Sequence, residues 1–411
     1  MSWVRHNSLG IYIAVPFCRS KCTYCNFASG VYSAGEHGRY VDRLIEDLTG
    51  AGAWASQMDV ALPRTVDTVY LGGGTPSLLA PELIQRLFGV LRTVFDVEGG
   101  AEVTVECAPG QLPQATLDAL AGAGVNRVSL GVQSFIDQEA RETGRLHNRA
   151  VVLEDLRRLR GAGIDNLNVD LIAGLPGQTF ASWEESLDVL IASGAPHASI
   201  YMLEVDEDSR LGREMLSGGS RYHAGLVPTD DAIARMYETA IERLESAGLA
   251  QYEISNFGRA GFASRHNLRY WKRRPYLGVG LDASSALALH AAAFRKDFVL
   301  RVKTTDDLKA YLDGGAEAET AWLSVDRQHE EAWFLGLRLN AGVEVADLVE
   351  EFGRDTVRPA LEVAARLEAD GLLVSDGMKI RLTERGRLLS NEVFQEFLGL
   401  EAVESGSRVA N

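Results

Sequence analysis

Ile11-Tyr-Ile-Ala-Val-Pro-Phe-Cys-Arg-Ser-Lys-Cys-Thr-Tyr-Cys-Asn-Phe27 joins an apolar, β-branched run to three cysteines. The run ends at Pro16, and Cys18, Cys22 and Cys25 follow with the spacing C-x3-C-x2-C. Run and loop together read as a strand that delivers a metal-binding loop. Three thiolates this close suit an iron–sulfur cluster, which cysteine thiolates hold. A [4Fe-4S] cube held by three cysteines keeps one iron open, and an open position on a metal is where a ligand binds. Two alternatives stay open: a zinc site, for which Cys107 is the only other cysteine, and a loop without metal. Four cysteines in 411 residues are too few for a disulfide framework. Three core cysteines would leave Arg19, Lys21 and Thr23 between them unexplained.

Outward from this stretch, strand-like runs alternate with helical patterns up to about residue 205. Strands are expected at 9–15, 68–71, 102–106, 127–131, 166–172 and 197–203, and helices at 36–54, 81–95, 114–121, 150–160 and 183–192. Pro81 suits the first turn of its helix. Six such βα units read as a parallel sheet. Periodicity does not choose between a curled partial barrel and a flat doubly wound sheet. In both, ligands sit at the carboxyl ends of the strands. The unusual residues fall there: the cysteines after the first strand, Gly72-Gly73-Gly74-Thr75-Pro76 after the second, and Glu106 at the end of the third. Gln133 and Arg145 follow the fourth, and Asp170 lies near the end of the fifth. Glycines admit close backbone approach and positive φ, although such a turn is equally ordinary turn chemistry. Any one of the four polar residues reads as a surface or capping group; four at matching positions point into a common crevice.

The chain carries 41 Lys and Arg against 57 Asp and Glu, a net charge of −16. No basic stripe is present, which argues against nucleic acid as a partner. No run approaches the ~18 apolar residues of a transmembrane helix, and Met1-Ser-Trp-Val-Arg-His lacks the apolar core of a signal peptide. Reduced cysteines and no export signal lead to the expectation of a cytoplasmic protein. Residues 204–228 are polar and Gly-rich, the composition of a lid or mobile segment. A helix over 229–247 and a strand over 252–256 follow. The last ~85 residues change character: helices at 330–339, 345–352, 357–370 and 390–398 surround a hairpin at 372–375 and 378–382, turning at Asp376-Gly377. They resemble a winged-helix module whose acidity suits packing or protein contact. The expected domains are a core over 1–205, a barrel extension over 206–320, the C-terminal module over 321–400 and a disordered tail over 401–411.

The three-cysteine spacing, with Tyr24 before the last cysteine, resembles the radical S-adenosylmethionine superfamily. That resemblance implies an α/β fold: a partial (βα)6, TIM-like barrel with a C-terminal, mostly helical, winged-helix-like domain. It implies a [4Fe-4S] cluster on Cys18, Cys22 and Cys25, with the methionine amino and carboxylate groups of S-adenosylmethionine on the open iron. An electron donor would reduce the cluster, which can cleave the sulfonium to a 5′-deoxyadenosyl radical. Gly73, Gly74 and Thr75 match the glycine stretch that hydrogen-bonds the methionine amino group. Arg145 would pair with the methionine carboxylate, which its planar fork suits. Glu106, Gln133 and Asp170 would take the amino group and ribose hydroxyls, with Tyr12 and Tyr24 beside the cofactor. Cys107 matches no role.

The lead-in Tyr12…Pro16-Phe17-Cys18 is similar to relatives of oxygen-independent coproporphyrinogen III dehydrogenase. Those dehydrogenases carry a further cysteine two residues after the last cluster ligand, where this chain has Phe27, and a long segment before the cluster, where only 17 residues precede Cys18. Both differences point to the haem-chaperone branch and away from dehydrogenase activity. His266-Asn-Leu-Arg-Tyr-Trp271 is similar to that branch's H-N-x-x-Y-W motif. On a helix, 266/270 and 267/271 share a face. His266 is therefore expected to ligate or orient haem iron, with Tyr270 and Trp271 beside the porphyrin; the alternative is aromatic packing with a capping histidine. Leu382-Thr-Glu-Arg-Gly-Arg-Leu-Leu-Ser-Asn391…Phe394…Phe397 also resembles that branch's ending. One departure is Asp282-Ala-Ser284, where many relatives read G-A-H after the Gly278-x-Gly280 turn. The resemblance implies a chaperone that passes haem to a recipient haem protein, for instance a respiratory one. A radical decarboxylase of coproporphyrinogen III and another radical enzyme are the alternatives.

Overall fold

The computed structural model describes residues 7–289, 298–314 and 318–400. The expected disordered tail, 401–411, lies outside them. The core alternates strands and helices: β1 (Ser8–Val15), α1 (Ala34–Gln57), β2 (Thr65–Gly73), α2 (Pro81–Val94), β3 (Asp96–Cys107), α3 (Gln114–Gly122) and β4 (Arg127–Gln133). There follow α4 (Asp137–Glu142), α5 (Arg149–Gly161), β5 (Asn166–Ala173), α6 (Phe180–Ser193) and β6 (His197–Met202). β1 to β6 pair in sequence order, all parallel, as a partial barrel. Leu9, Ile11, Ile13 and Val15 on β1 pack with Leu44 and Leu48 of α1 and Leu87 and Leu91 of α2 in one continuous core. A strand covered on both faces needs this near-continuous apolar run.

Residues 204–228 depart from the expected loop. They form α7 (Arg210–Leu216) and a 3-10 turn over Arg221–Leu226. The Ser209 side chain caps α7 by accepting from Gly212 N–H, and Leu211 N–H donates to Thr23 O at 2.8 Å. The segment is thus tied to the cysteine loop. After α8 (Asp230–Ser246), the single strand expected over 252–256 is a tight antiparallel pair, β7 (Ala250–Glu253) and β8 (Asn256–Gly258), added beside β6.

The short helix α9 (Arg265–Trp271) then crosses the N-terminal end of the barrel. Glu102, on β3, accepts from Arg265 N–H at 3.1 Å and His266 N–H at 3.0 Å. A carboxylate at a helix start satisfies free N–H groups and the helix dipole. Next come β9 (Tyr276–Val279), β10 (Ser284–Ala288), β11 (Val299–Lys303), α10 (Leu308–Leu312) and β12 (Glu319–Leu323). β9 pairs parallel to β1, and β10 to β12 continue antiparallel, an extension that sequence periodicity did not reveal.

The C-terminal region holds α11 (Val325–Leu337), β13 (Val343–Glu344), α12 (Val345–Phe352), α13 (Arg354–Ala369), β14 (Leu373–Ser375), β15 (Lys379–Leu382), α14 (Glu384–Leu388) and α15 (Ser390–Gln395). Its hairpin gains β13 as a third strand. Trp333 stacks on Phe397 at 4.8 Å in a core of its own. The region caps the β7 edge: Ile254 N–H donates to Arg338 O at 3.2 Å and Asn340 N–H to Tyr252 O at 3.0 Å. An edge strand covered in this way presents no free ladder.

Candidate functional site

The cysteine loop is shaped by backbone bonds. Cys18 N–H donates to Gly30 O at 2.8 Å and Gly30 N–H to Pro16 O at 2.9 Å, which closes the loop at its base. The β2 turn braces it: Gly74 N–H reaches Val15 O at 2.9 Å and Thr75 N–H reaches Phe17 O at 2.7 Å. A Cβ on Gly74 would lie 2.7 Å from Val15 O and 2.8 Å from Phe17 O, so this approach requires glycine. On the other side, Thr23 N–H donates to Thr143 O at 3.2 Å.

The three free thiols of Cys18, Cys22 and Cys25 line one cavity of about 770 Å³ at the carboxyl ends of the strands. Tyr24, Gly73, Gly74, Thr75, Glu106, Gln133, Arg145 and Asp170 share its wall. Tyr12 lies deeper in the barrel, stacked on Tyr70 at 5.9 Å. Cys107 borders the cavity, but its thiol is buried, and burial pushes its pKa up to about 12. It stays a thiol. Among the described residues no three His, Cys, Asp or Glu side chains converge on a single-ion site. A cube, which takes each thiolate on a different iron, does not need that convergence.

The polar groups fit a charged ligand beside a cluster. Arg145 Nη1 donates to Cys22 Sγ at 3.3 Å and Nη2 donates to Gly131 O. Its Nε, the Tyr24 hydroxyl and Gln133 Oε1 are buried with no hydrogen-bond partner. Gln133 also holds a left-handed φ of 69°, a conformation that a non-glycine residue adopts at a cost of ~1–3 kcal/mol and that clusters at functional sites. Each unpaired buried group costs ~1–3 kcal/mol. Donors and acceptors left open on one wall, next to three thiols, suit a cluster and a polar ligand that completes them. Asp170 accepts from Ser129 at 3.1 Å and Asn168 at 2.6 Å, and burial raises its pKa.

Glu106 accepts from the Tyr70 hydroxyl at 2.9 Å and from Gly73 N–H at 3.0 Å. Burial, then the charge of Asp170, push its pKa up to about 7, against these two bonds. A carboxyl raised on folding holds its proton longer in the native state. Its stability contribution is full below the unfolded value and is lost as pH rises through about 7. Glu106→Gln should therefore flatten the profile between pH ~5 and ~8, and the wild-type protein should lose ~2–3 kcal/mol relative to the variant across that window. Urea midpoints at the two ends test this. Parallel profiles would mean that Glu106 does not titrate there.

His266 is not brought to the cavity. It is 1% exposed. Its Nδ1 faces the Thr68 hydroxyl at 2.9 Å and its Nε2 the Tyr270 hydroxyl at 2.8 Å. The ring lies 5.3 Å from the Tyr70 ring and 6.4 Å from Tyr12, below the Glu106 layer. Burial, and then Arg269, push its pKa down to about 3. The expectation for His266 is a haem ligand; in this structure its two ring nitrogens face hydroxyls inside the barrel, away from the cavity wall. The shared face of His266 and Tyr270 exists, but it meets the barrel interior. His266→Ala should cost ~2–4 kcal/mol, through a cavity and two unpaired hydroxyls, with haem absorbance unchanged. A chemical melt beside a haem titration checks both; a lost Soret band at unchanged stability would identify His266 as the ligand.

Sequence reasoning missed part of the wall. Tyr201, Ser255, Arg338, Ser390 and Asn391 also line the cavity. Arg338, Ser390 and Asn391 come from the C-terminal region and reach the site only through its docking, so even the motif that contains Ser390 and Asn391 does not point to this wall. At the same cavity, Phe27 and Leu146 are 61% and 63% exposed, an apolar pair in contact with solvent.

Comparison with known proteins adds independent observations. The Radical SAM superfamily model matches residues 12–190, and the HemN C-terminal domain model matches residues 323–389. Curated relatives include "Heme chaperone HemW" of Bacillus subtilis, 34% identical over 394 residues, covering 94% of this chain and 98% of that one. The protein of the same name from Escherichia coli is 31% identical over 396 residues, covering 95% and 98%. Among solved structures, coproporphyrinogen III oxidase (HemN) from Escherichia coli superposes with a TM-score of 0.79 at 22% identity, over 96% of this chain and 91% of that one. That likeness shows a shared fold.

Proposed function

The chain belongs to the HemW family of radical S-adenosylmethionine proteins, and from that premise we propose that it is a haem chaperone, binding haem and passing it to a recipient haem protein. The observation that carries this reading is similarity to curated haem chaperones along nearly the whole of both chains. Cys18, Cys22 and Cys25 would hold a [4Fe-4S] cluster, which when bound supplies an open iron and a transferable electron. Arg145 offers its fork to the methionine carboxylate of S-adenosylmethionine. Gly73, Gly74 and Thr75 would hold the amino group, with Glu106 bracing Gly73. Gln133 and Asp170 would take the ribose hydroxyls. Tyr12 supports this layer through Tyr70.

Phe27 argues against the decarboxylase alternative, because an exposed phenyl ring stands where the resemblance gives the dehydrogenases a further cysteine. No helix among the described residues is long and apolar enough to cross a membrane; we place the hand-over in the cytoplasm, with an electron donor for the cluster and a haem protein, for instance a respiratory one, as partners. The test is an anaerobic haem titration of the reconstituted protein, followed by absorbance, with the same preparation assayed on coproporphyrinogen III. Saturable haem binding without loss of propionate carboxyls is expected. Decarboxylation without haem binding would replace the chaperone by the enzyme.

A further inference from the structure

The H-N-x-x-Y-W segment retains one member without a use so far. Trp271 ends α9 with its indole Nε1 buried and unpartnered. The Arg338 guanidinium stacks on its ring, 4.3 Å from the centroid. Arg338 follows α11, and its carbonyl is fixed by Ile254 N–H at 3.2 Å. Backbone pairing and the stacked ring thus hold the cation in one place on the cavity wall.

Its charge is incompletely answered. The nearest acid is Glu253, fully buried, with Oε2 at 3.7 Å from Arg338 Nη2, beyond hydrogen-bond range. Glu253 Oε1 is occupied by Ser255 N–H at 3.1 Å and by Asn256. Arg338 Nε is buried without any partner. A guanidinium on the cavity wall with a donor left unpaired is suited to a carboxylate. Around it the wall is neutral: Ser255, Ser390 and Asn391 are polar, and Tyr237, Ile254 and Leu388 are largely apolar.

We propose that Arg338, seated on Trp271, is a carboxylate subsite of the cavity and takes a propionate of haem. The proposal rests on the chaperone reading and deepens it. An anion at Arg338 with an apolar body along Ile254 and Leu388 matches an amphipathic porphyrin. The motif then acts through two different members. His266 braces the barrel interior, and Trp271 is a positioning residue for the cation that meets the ligand. Two kinds of carboxylate are available to the cavity, the haem propionates and the methionine carboxylate of S-adenosylmethionine. Arg145, beside the cysteines, is placed for the second.

The experiment titrates the full-length, anaerobically reconstituted protein with haem, with haem dimethyl ester and with S-adenosylmethionine. Arg338→Gln should weaken haem about tenfold, or ~1.4 kcal/mol, while the ester and S-adenosylmethionine keep their affinities. Glu253→Gln removes the competing carboxylate and should tighten haem several-fold without affecting the ester. That opposite sign is one a domain-docking role cannot produce, and it decides the question if Arg338→Gln folds poorly. Equal weakening of haem and ester, or weakening of S-adenosylmethionine alone, would overturn the subsite. A wild-type protein that binds neither haem nor ester would instead overturn the chaperone reading, and the subsite with it.

Discussion

Cys22→Ala should abolish the cluster: iron and sulfide after anaerobic reconstitution fall from about four of each per chain to background. Cys18→Ala and Cys25→Ala should do the same, and Cys107→Ala should not. The loop explains why no neighbour substitutes. It is tied at its base through Gly30 and Pro16, on one side through Gly74 and Thr75, and on the other through Thr143. A thiol lost from so braced a loop leaves no slack for a replacement ligand. Each sulfur also has its own polar neighbour: Arg145 donates to Cys22 at 3.3 Å, Thr75 donates to Cys18 at 3.9 Å, and the Ser29 hydroxyl pairs with Cys25 at 3.9 Å. Such neighbours tune a thiolate that carries metal. Burial raises the Cys18 pKa in the metal-free protein, so loading should release protons and slow as pH falls. Full iron content in Cys22→Ala would remove the cluster assignment at its foundation.

The resolution of the fold in the sequence follows the length and burial of its elements. β1 to β6 are legible because their apolar positions recur densely, as a near-continuous run in β1 and in alternation with polar residues in β3 and β5, and each is followed by a helical pattern. β9 to β12 are not. They are four or five residues long, and Gly278 interrupts β9, where a Cβ would collide with Ser284. What makes them strands is pairing with β1 and with each other, which no local window contains. In residues 204–228, composition reads as a loop, yet the structure places α7 there, capped by Ser209 and bonded through Leu211 to Thr23.

The same distinction separates the parts of the site. Cys18 to Cys25 and Gly72 to Thr75 are contiguous, so spacing alone carries their chemistry. Glu106, Gln133, Arg145 and Asp170 are far apart in sequence, but each lies near the carboxyl end of a legible strand or follows one. His266 shows the limit. Helical spacing says which side chains share a face, and Thr68 and Tyr70, some two hundred residues earlier, decide what that face meets. Arg338 has no sequence signature, because its place in the wall depends on two regions docking.

Arg145→Ala should remove most of the affinity for S-adenosylmethionine while leaving the cluster intact. The side chain is held from three directions: Nη2 on Gly131 O, Nη1 on Cys22 Sγ, and Tyr24 and Asp170 close enough to raise its pKa against the opposing effect of burial. A side chain on Gly131 would collide with Arg145 Nη2, so β4 itself is shaped to admit the guanidinium. The unpartnered Nε is the donor left for a ligand. Truncating a buried arginine that meets a carboxylate costs ~2–5 kcal/mol, at least about thirtyfold in affinity by calorimetry. Arg145→Lys should recover little, since a point charge cannot reproduce the fork. The competing role is support of the Cys22 thiolate. That role forecasts the reverse pattern, with S-adenosylmethionine affinity near wild type and iron content or cluster potential altered. Measuring both quantities in one preparation separates the two, because only a ligand contact lowers affinity at constant iron.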